Sequence, residues 1–202
     1  MSRGNTFLLV ALVAVALAIV AAASLLHDGL SSRATPTSFE AMLARNVRHM
    51  AIPAGARKQR NPIPASPDNL RDARLHFADH CAICHGNEGT GDTPIGKGLY
   101  PKPPDLRAEE TQKLSDGELF WIIENGVRFT GMSAFGGSHG SEEDSWKLVR
   151  FIRHLPQLSA DERMEMQRYN PKGPEDRAEE NEEEDFLRGA PVQQKRESSH
   201  HH

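Results

Sequence analysis

The chain reads as an all-α protein: one long apolar helix followed by a small helical domain with long loops. Two observations predict this. Apolar residues recur at three- and four-residue spacing behind recognisable helix starts. No stretch alternates apolar and polar residues in the way a half-buried strand requires. The segments between the helical stretches, notably 86–104 and 130–140, are rich in glycine and proline.

Residues 1–6 form a short leading segment carrying Arg3, and residues 7–26 form an apolar run in which Ser24 is the sole polar member. At about 1.5 Å of rise per residue, that run can cross a hydrocarbon core of about 30 Å. Arg3 on the leading side places the N-terminus in the cytoplasm and the rest outside it. Two readings of the run stand. It is a retained anchor, favoured by its length and by Leu25-Leu26, or a signal peptide cleaved after Ala21-Ala22-Ala23. Both export the domain on its C-terminal side.

Residues 27–66 read as a basic stalk, with Arg33, Arg45, Arg48, Arg57, Lys58 and Arg60 against Asp28 and Glu40. Phe39, Met42, Leu43, Val47 and Met50 predict one short amphipathic helix, after which Pro53, Gly55, Pro62 and Pro64 break regular structure. The stalk is expected to be a solvated spacer, with anionic headgroups or an acidic partner as the alternatives.

The domain spans residues 67–158. Ser66 caps its first helix with Pro67 at the first helical position, and Leu70, Ala73, Arg74 and Phe77 carry that helix into Cys81. Ser115 and Glu118 form a capping box ahead of Leu119, Phe120, Ile122 and Ile123, and Asn125-Gly126 stops that helix. Ser141 caps a third helix with Asp144 in its first turn; Trp146, Val149, Ile152 and Leu155 form its buried stripe, and Pro156 ends it. Loops this long are uncommon in an ordinary core, so they are expected to wrap a large apolar cofactor. Residues 159–202 read as an acidic, disordered tail with Glu179, Glu180 and Glu182 to Asp185 clustered. The terminal His200-His201-His202 reads as a weak metal-binding tract or equally as a tag remnant.

The formal charge of -4 over 202 residues offers no basic field for nucleic acid. The two cysteines stand three positions apart, in Cys81-Ala82-Ile83-Cys84-His85. This is a C-x-x-C-H haem attachment sequence. Two thiols so spaced on a helical turn can add to neighbouring vinyl groups of one porphyrin, and the adjacent His85 is placed to ligate the iron. A thioredoxin-like redox pair needs a βαβ context that is absent, and a zinc site needs a second ligand pair. One covalent haem c is therefore expected.

Met132, in Gly131-Met132-Ser133-Ala134-Phe135-Gly136, is the leading candidate for the sixth ligand, because a Gly-flanked polar loop is an unnatural place for a packing methionine. His139 is the rival, and an open iron the third alternative. His/Met ligation saturates the iron and suits electron transfer rather than oxygen or peroxide chemistry.

From Pro67 to Leu158 the chain resembles class I monohaem cytochromes c of the bacterial membrane-anchored type. The likeness rests on C-A-I-C-H, G-T-G-D, G-L-Y-P-K-P-P-D-L, L-S-D-G-E-L-F-W-I-I-E-N-G and G-M-S-A-F-G. It implies a cytochrome c fold whose first and last helices cross, with Phe77 and Trp146 near the contact. It also implies that the Pro104 carbonyl orients the His85 imidazole, as an iron-bound histidine generally requires of its second nitrogen. Ser133 departs from the family, where proline usually follows the methionine, and implies a looser ligand loop. Tyr100 and Arg128 are candidate partners for the haem propionates, since a buried carboxylate needs a donor or a cation; a solvated loop position is the alternative for Arg128.

The expected function is single-electron transfer in a respiratory or periplasmic chain, by a carrier that is not itself an enzyme and exchanges electrons with donor and acceptor proteins at the membrane. A haem peroxidase or small-molecule reductase, and a haem-based sensor, are the rival readings, and both require an open iron.

Overall fold

A computed structural model describes residues 3–28, 31–137 and 140–173, together with residues 182, 187 and 188. Helix α1 runs Arg3–Asp28 and contains the apolar span Asn5–Ser24, long enough to cross a membrane and exposed along its whole length. Helix α2 (Ser38–Ala51) starts from a capping box between Thr37 and Glu40, and a single turn α3 (Ala54–Arg57) comes next.

The domain is built on α4 (Pro67–His76), α8 (Asp116–Asn125) and α9 (Glu142–His154). Short turns α5 (Ala82–His85), α6 (Pro94–Lys97) and α7 (Glu109–Gln112) lie between α4 and α8. Among the described residues there is no strand. Each predicted cap forms: Ser66 accepts from the Asn69 N–H, and Ser115 and Ser141 close reciprocal boxes with Glu118 and Asp144. These caps satisfy amide groups that the first helical turn otherwise leaves without partners.

The first and last core helices, α4 and α9, form the most extensive pairing in the fold. Phe77 lies at that contact with its ring centroid 5.1 Å from that of Phe151, whereas Trp146 turns to α8 and stacks on Phe120 at 4.0 Å and 7°. Aromatic pairs of this kind add about 1 kcal/mol beyond the area buried. Around these rings Ala73, Ala78, Leu119, Leu148, Val149 and Leu155 close the core.

Two boundaries differ from those expected. The acidic tail does not begin at residue 159: helix α10 (Ala160–Gln167) packs on the domain and buries Met166 completely in the core. Its charged face pairs Glu162 and Glu165 with Arg74 of α4, and His154 meets Glu162 at 3.0 Å. A sequence dominated by charge conceals this helix, because one methionine and one ion-pair cluster supply its docking. The acidic cluster beyond it, apart from the exposed Glu182, and His200–His202 lie outside the described residues.

The stalk is likewise not a solvated spacer throughout. Ile52 is fully buried, the Ser115 hydroxyl donates to the Arg57 carbonyl at 2.8 Å, and His49 meets Glu118 at 3.0 Å. Asn61 donates to the Trp146 carbonyl at 2.8 Å, and Arg150 Nε donates to the Ile63 carbonyl at 2.6 Å. The prolines here break helix periodicity without freeing the chain, because backbone carbonyls in an irregular segment remain good acceptors.

Candidate functional site

Helix α4 does not run evenly into the attachment sequence. Residues Phe77–Cys81 form a π turn, closed where the Ala82 N–H donates to the Phe77 carbonyl. Such single-turn bulges insert one residue and re-aim side chains. Here the bulge ends on Cys81 and leads into the short α5 that carries Cys84 and His85. The two cysteines form no disulfide with each other.

The loop after His85 closes back on the attachment turn. The Gly91 N–H donates to the His85 carbonyl at 2.7 Å, and the Leu106 N–H donates to the Gly89 carbonyl at 2.7 Å. Thr93 uses its hydroxyl twice. It donates to the Ile83 and Cys84 carbonyls at 2.9 and 3.2 Å, and it accepts from the Gly96 N–H at 2.8 Å as the cap of α6. Gly91 has φ of 74°, and a Cβ there would stand 2.5 Å from the Pro103 carbonyl oxygen, so only glycine lets the two stretches of loop meet. Gly91 belongs to the G-T-G-D stretch, whereas Thr93 does not stand out as a site residue in the sequence, although Thr93-Pro94 is a recognisable helix start.

The Met132 loop is fastened to the end of α8. Gly126 turns the chain at φ of 64°, the Val127 N–H donates to the Met132 carbonyl at 3.0 Å, and the Phe135 N–H donates to the Ile123 carbonyl at 3.0 Å. A Cβ on Gly126 would come within 2.6 Å of the Met132 carbonyl oxygen. The loop is therefore held on both sides of Ser133, which offsets the missing proline.

These two loops and the core helices border an apolar cleft lined by Cys81, His85, Met132, Phe77, Leu106, Phe135 and neighbouring aliphatic side chains. Burial pushes the Cys81 thiol up to about 12, with the Cys84 charge adding to the effect, and burial raises Cys84 as well. Burial lowers the His85 imidazole, so that it is neutral and free to ligate. A second, open depression beside Arg74, Glu162 and Glu165 is lined by charge and contains none of these groups.

Residues 68–152 match the family model described as "Cytochrome C oxidase, cbb3-type, subunit III". This segment is a c-type cytochrome domain. A domain of this kind implies electron transfer and haem c. The chain is also similar to a chain of the reducing HAO-like protein complex of Kuenenia stuttgartiensis, at 21% identity and a TM-score of 0.43. That likeness covers 46% of this chain and 46% of that one, so less than half of that chain's length is spanned. No curated protein matches the chain.

The residues of the cytochrome domain fit a haem c. His85 Nδ1 is buried without a hydrogen-bond partner, two thiols stand beside it, and the cleft walls are apolar. Among the described residues no group of three or more His, Cys, Asp or Glu side chains offers a competing metal site.

Three of the other candidate site residues do not line this cleft. Pro104 is exposed and makes no hydrogen bond to His85 Nδ1; the loop instead presses the Pro103 carbonyl against Gly91. Tyr100 turns away to the stalk, where its hydroxyl donates to Glu40 Oε1 at 3.4 Å. Arg128 is exposed beside Phe129, outside the cleft. Their sequence signals are those of loop residues, and loop side chains take their direction from tertiary contacts. The rival ligand His139 lies outside the described residues.

Proposed function

We propose that the chain is a membrane-tethered monohaem cytochrome c that carries single electrons between protein partners outside the cytoplasm. The observation that carries this reading is that His85 and Met132, 47 positions apart in sequence, line the same apolar cleft beside Cys81. Cys81 and Cys84 would attach the cofactor as thioethers, each thiol adding its sulfur and its proton across one vinyl group. His85 and Met132 would ligate its iron. When bound, haem c supplies reversible one-electron exchange.

The remaining side chains set the conditions for that exchange. Phe77, Leu106, Phe135, Leu148 and Ile152 keep water from the cleft. Thr93 and Gly91 hold the attachment turn, and the α8 end holds the methionine loop, so neither ligand needs to move as charge changes. Helix α1, with Arg3 on its short side, would tether the domain and raise its effective concentration for membrane-bound donors and acceptors. The matched family is described as an oxidase subunit, which supports exchange with a larger oxidoreductase.

The test is optical, on the export-matured full chain. The carrier reading expects one thioether-linked haem, a ferric far-red methionine-sulfur band lost in Met132→Ala, and no carbon monoxide binding to the reduced parent. An absent band with ready carbon monoxide binding overturns it in favour of an enzyme or sensor with an open iron.

A further inference from the structure

Helix α2 is amphipathic, and its polarity is inverted relative to the domain it touches. Ordinarily such a helix buries its apolar face. Here none of its residues is buried. Phe39, Leu43, Val47 and Met50, spaced by four, four and three residues, form one stripe that is 66, 49, 51 and 71% exposed. The partly covered residues are Ala41 and Arg48, on the opposite side of the helix. The domain therefore holds α2 by its polar back, through His49 on Glu118 and the buried Ile52 just beyond its end.

We infer that α2 lies in the interface of an anionic bilayer, with Phe39, Leu43, Val47 and Met50 inserted among the acyl chains. This rests on α1 being a membrane span. Residues 29–37 separate the two helices, a stretch that reaches at most about 32 Å when extended, so α2 cannot leave the vicinity of the bilayer surface. Arg33, in the segment that leads into the helix, is the headgroup partner, and the one acidic residue of the helix, Glu40, is occupied by the Thr37 cap. A second protein is a poorer occupant. Four side chains on a helix about 21 Å long fall well short of the roughly 800 Å² per partner that a stable interface needs, whereas a bilayer demands no shape complementarity. Joined to the domain through Ile52 and α3, the inserted helix would fix the height and tilt of the haem cleft over the membrane.

The experiment places a photocrosslinking benzoylphenylalanine at Leu43, at Val13 of α1 or at the exposed Asp161 of α10. The full-length protein is reconstituted in vesicles of phosphatidylcholine and phosphatidylglycerol at about 7:3, and adducts are identified by mass spectrometry. Lipid adducts at Leu43 and Val13 but not at Asp161 are expected. Vesicles of phosphatidylcholine alone should cut the Leu43 yield by about fivefold for each basic side chain engaged, leaving Val13 unchanged. Adducts at Val13 with none at Leu43, or with Leu43 joined only to a second copy of the chain, overturn the inference and leave the anchor intact. No adducts at Val13 overturn the anchor, and the Leu43 result then decides the interfacial helix separately.

Discussion

The backbone of Gly117, at the start of α8, lies directly against the carbonyl of Ala56 in α3, closer than any side chain allows. This contact, with the Ser115 hydroxyl bond to the Arg57 carbonyl beside it, makes the end of the stalk part of the domain. Gly117→Ala should therefore release residues 49–63 while keeping most of α8. Limited proteolysis should cut within that segment much faster than in the parent, and thermal unfolding should lose about 1–3 kcal/mol of stability. Unchanged proteolysis would mean that the stalk is held by other contacts.

Arg74 fastens α10. Its guanidinium is largely buried and bonds both Glu162 and Glu165. Arg74→Met should destabilise the domain by about 2 kcal/mol, less than the roughly 3–5 kcal/mol typical of a fully buried pair because both carboxylates keep some solvent. Met166→Ala should cost about 2–4 kcal/mol through the cavity it leaves. Both are read from denaturant unfolding. A loss within experimental error in both would show that α10 is an accessory.

Acid should loosen the same contact. The Arg74 hydrogen bond, with smaller help from Arg71, holds Glu165 below its usual 4.5. At Glu162, burial pushes upward, but bonds from the Ser159 amide, His154 and the Ser159 hydroxyl together outweigh it and leave the group below 4.5. A carboxylate depressed on folding contributes stability that is complete above its unfolded value and is lost as pH falls through its folded value. The stability of the parent should thus fall as pH drops below about 4.5, and Glu165→Gln should flatten that slope. A slope unchanged in Glu165→Gln would assign the acid sensitivity to other groups.

Thr93→Val keeps the shape of the side chain and removes both hydroxyl bonds to the attachment turn, along with the α6 cap. A loss of about 1–3 kcal/mol is expected in denaturant unfolding. The far-red methionine band should persist, since Thr93 touches the histidine side of the cleft and not Met132.

Phe129 combines a φ of 62° with 93% exposure, so its ring offers no packing to offset the backbone strain. Phe129→Gly should raise stability by about 1 kcal/mol, measured by denaturant unfolding. A loss would show that the ring packs in solution against something beyond the domain.

The helical class, the caps at Ser66, Ser115 and Ser141, the Gly126 stop and the Cys81-Cys84-His85 attachment turn are all legible in the order of residues. Each of these is local: a hydroxyl three residues from an amide, or two thiols on one turn, has its geometry set by the backbone between them. Tertiary packing decides the rest. That Met132 shares a cleft with His85 depends on how α8 packs on α9. That Tyr100 and Pro104 do not line the cleft depends on the docking of the stalk and on loop closure around Gly91. Helix α10 is hidden in the sequence because its place is set by a few contacts, chiefly Met166 in the core and the Arg74 clasp, against a charge-rich background. Periodicity records which residues share a face, but the partner of that face is chosen by segments distant in the chain, as the outward apolar stripe of α2 illustrates.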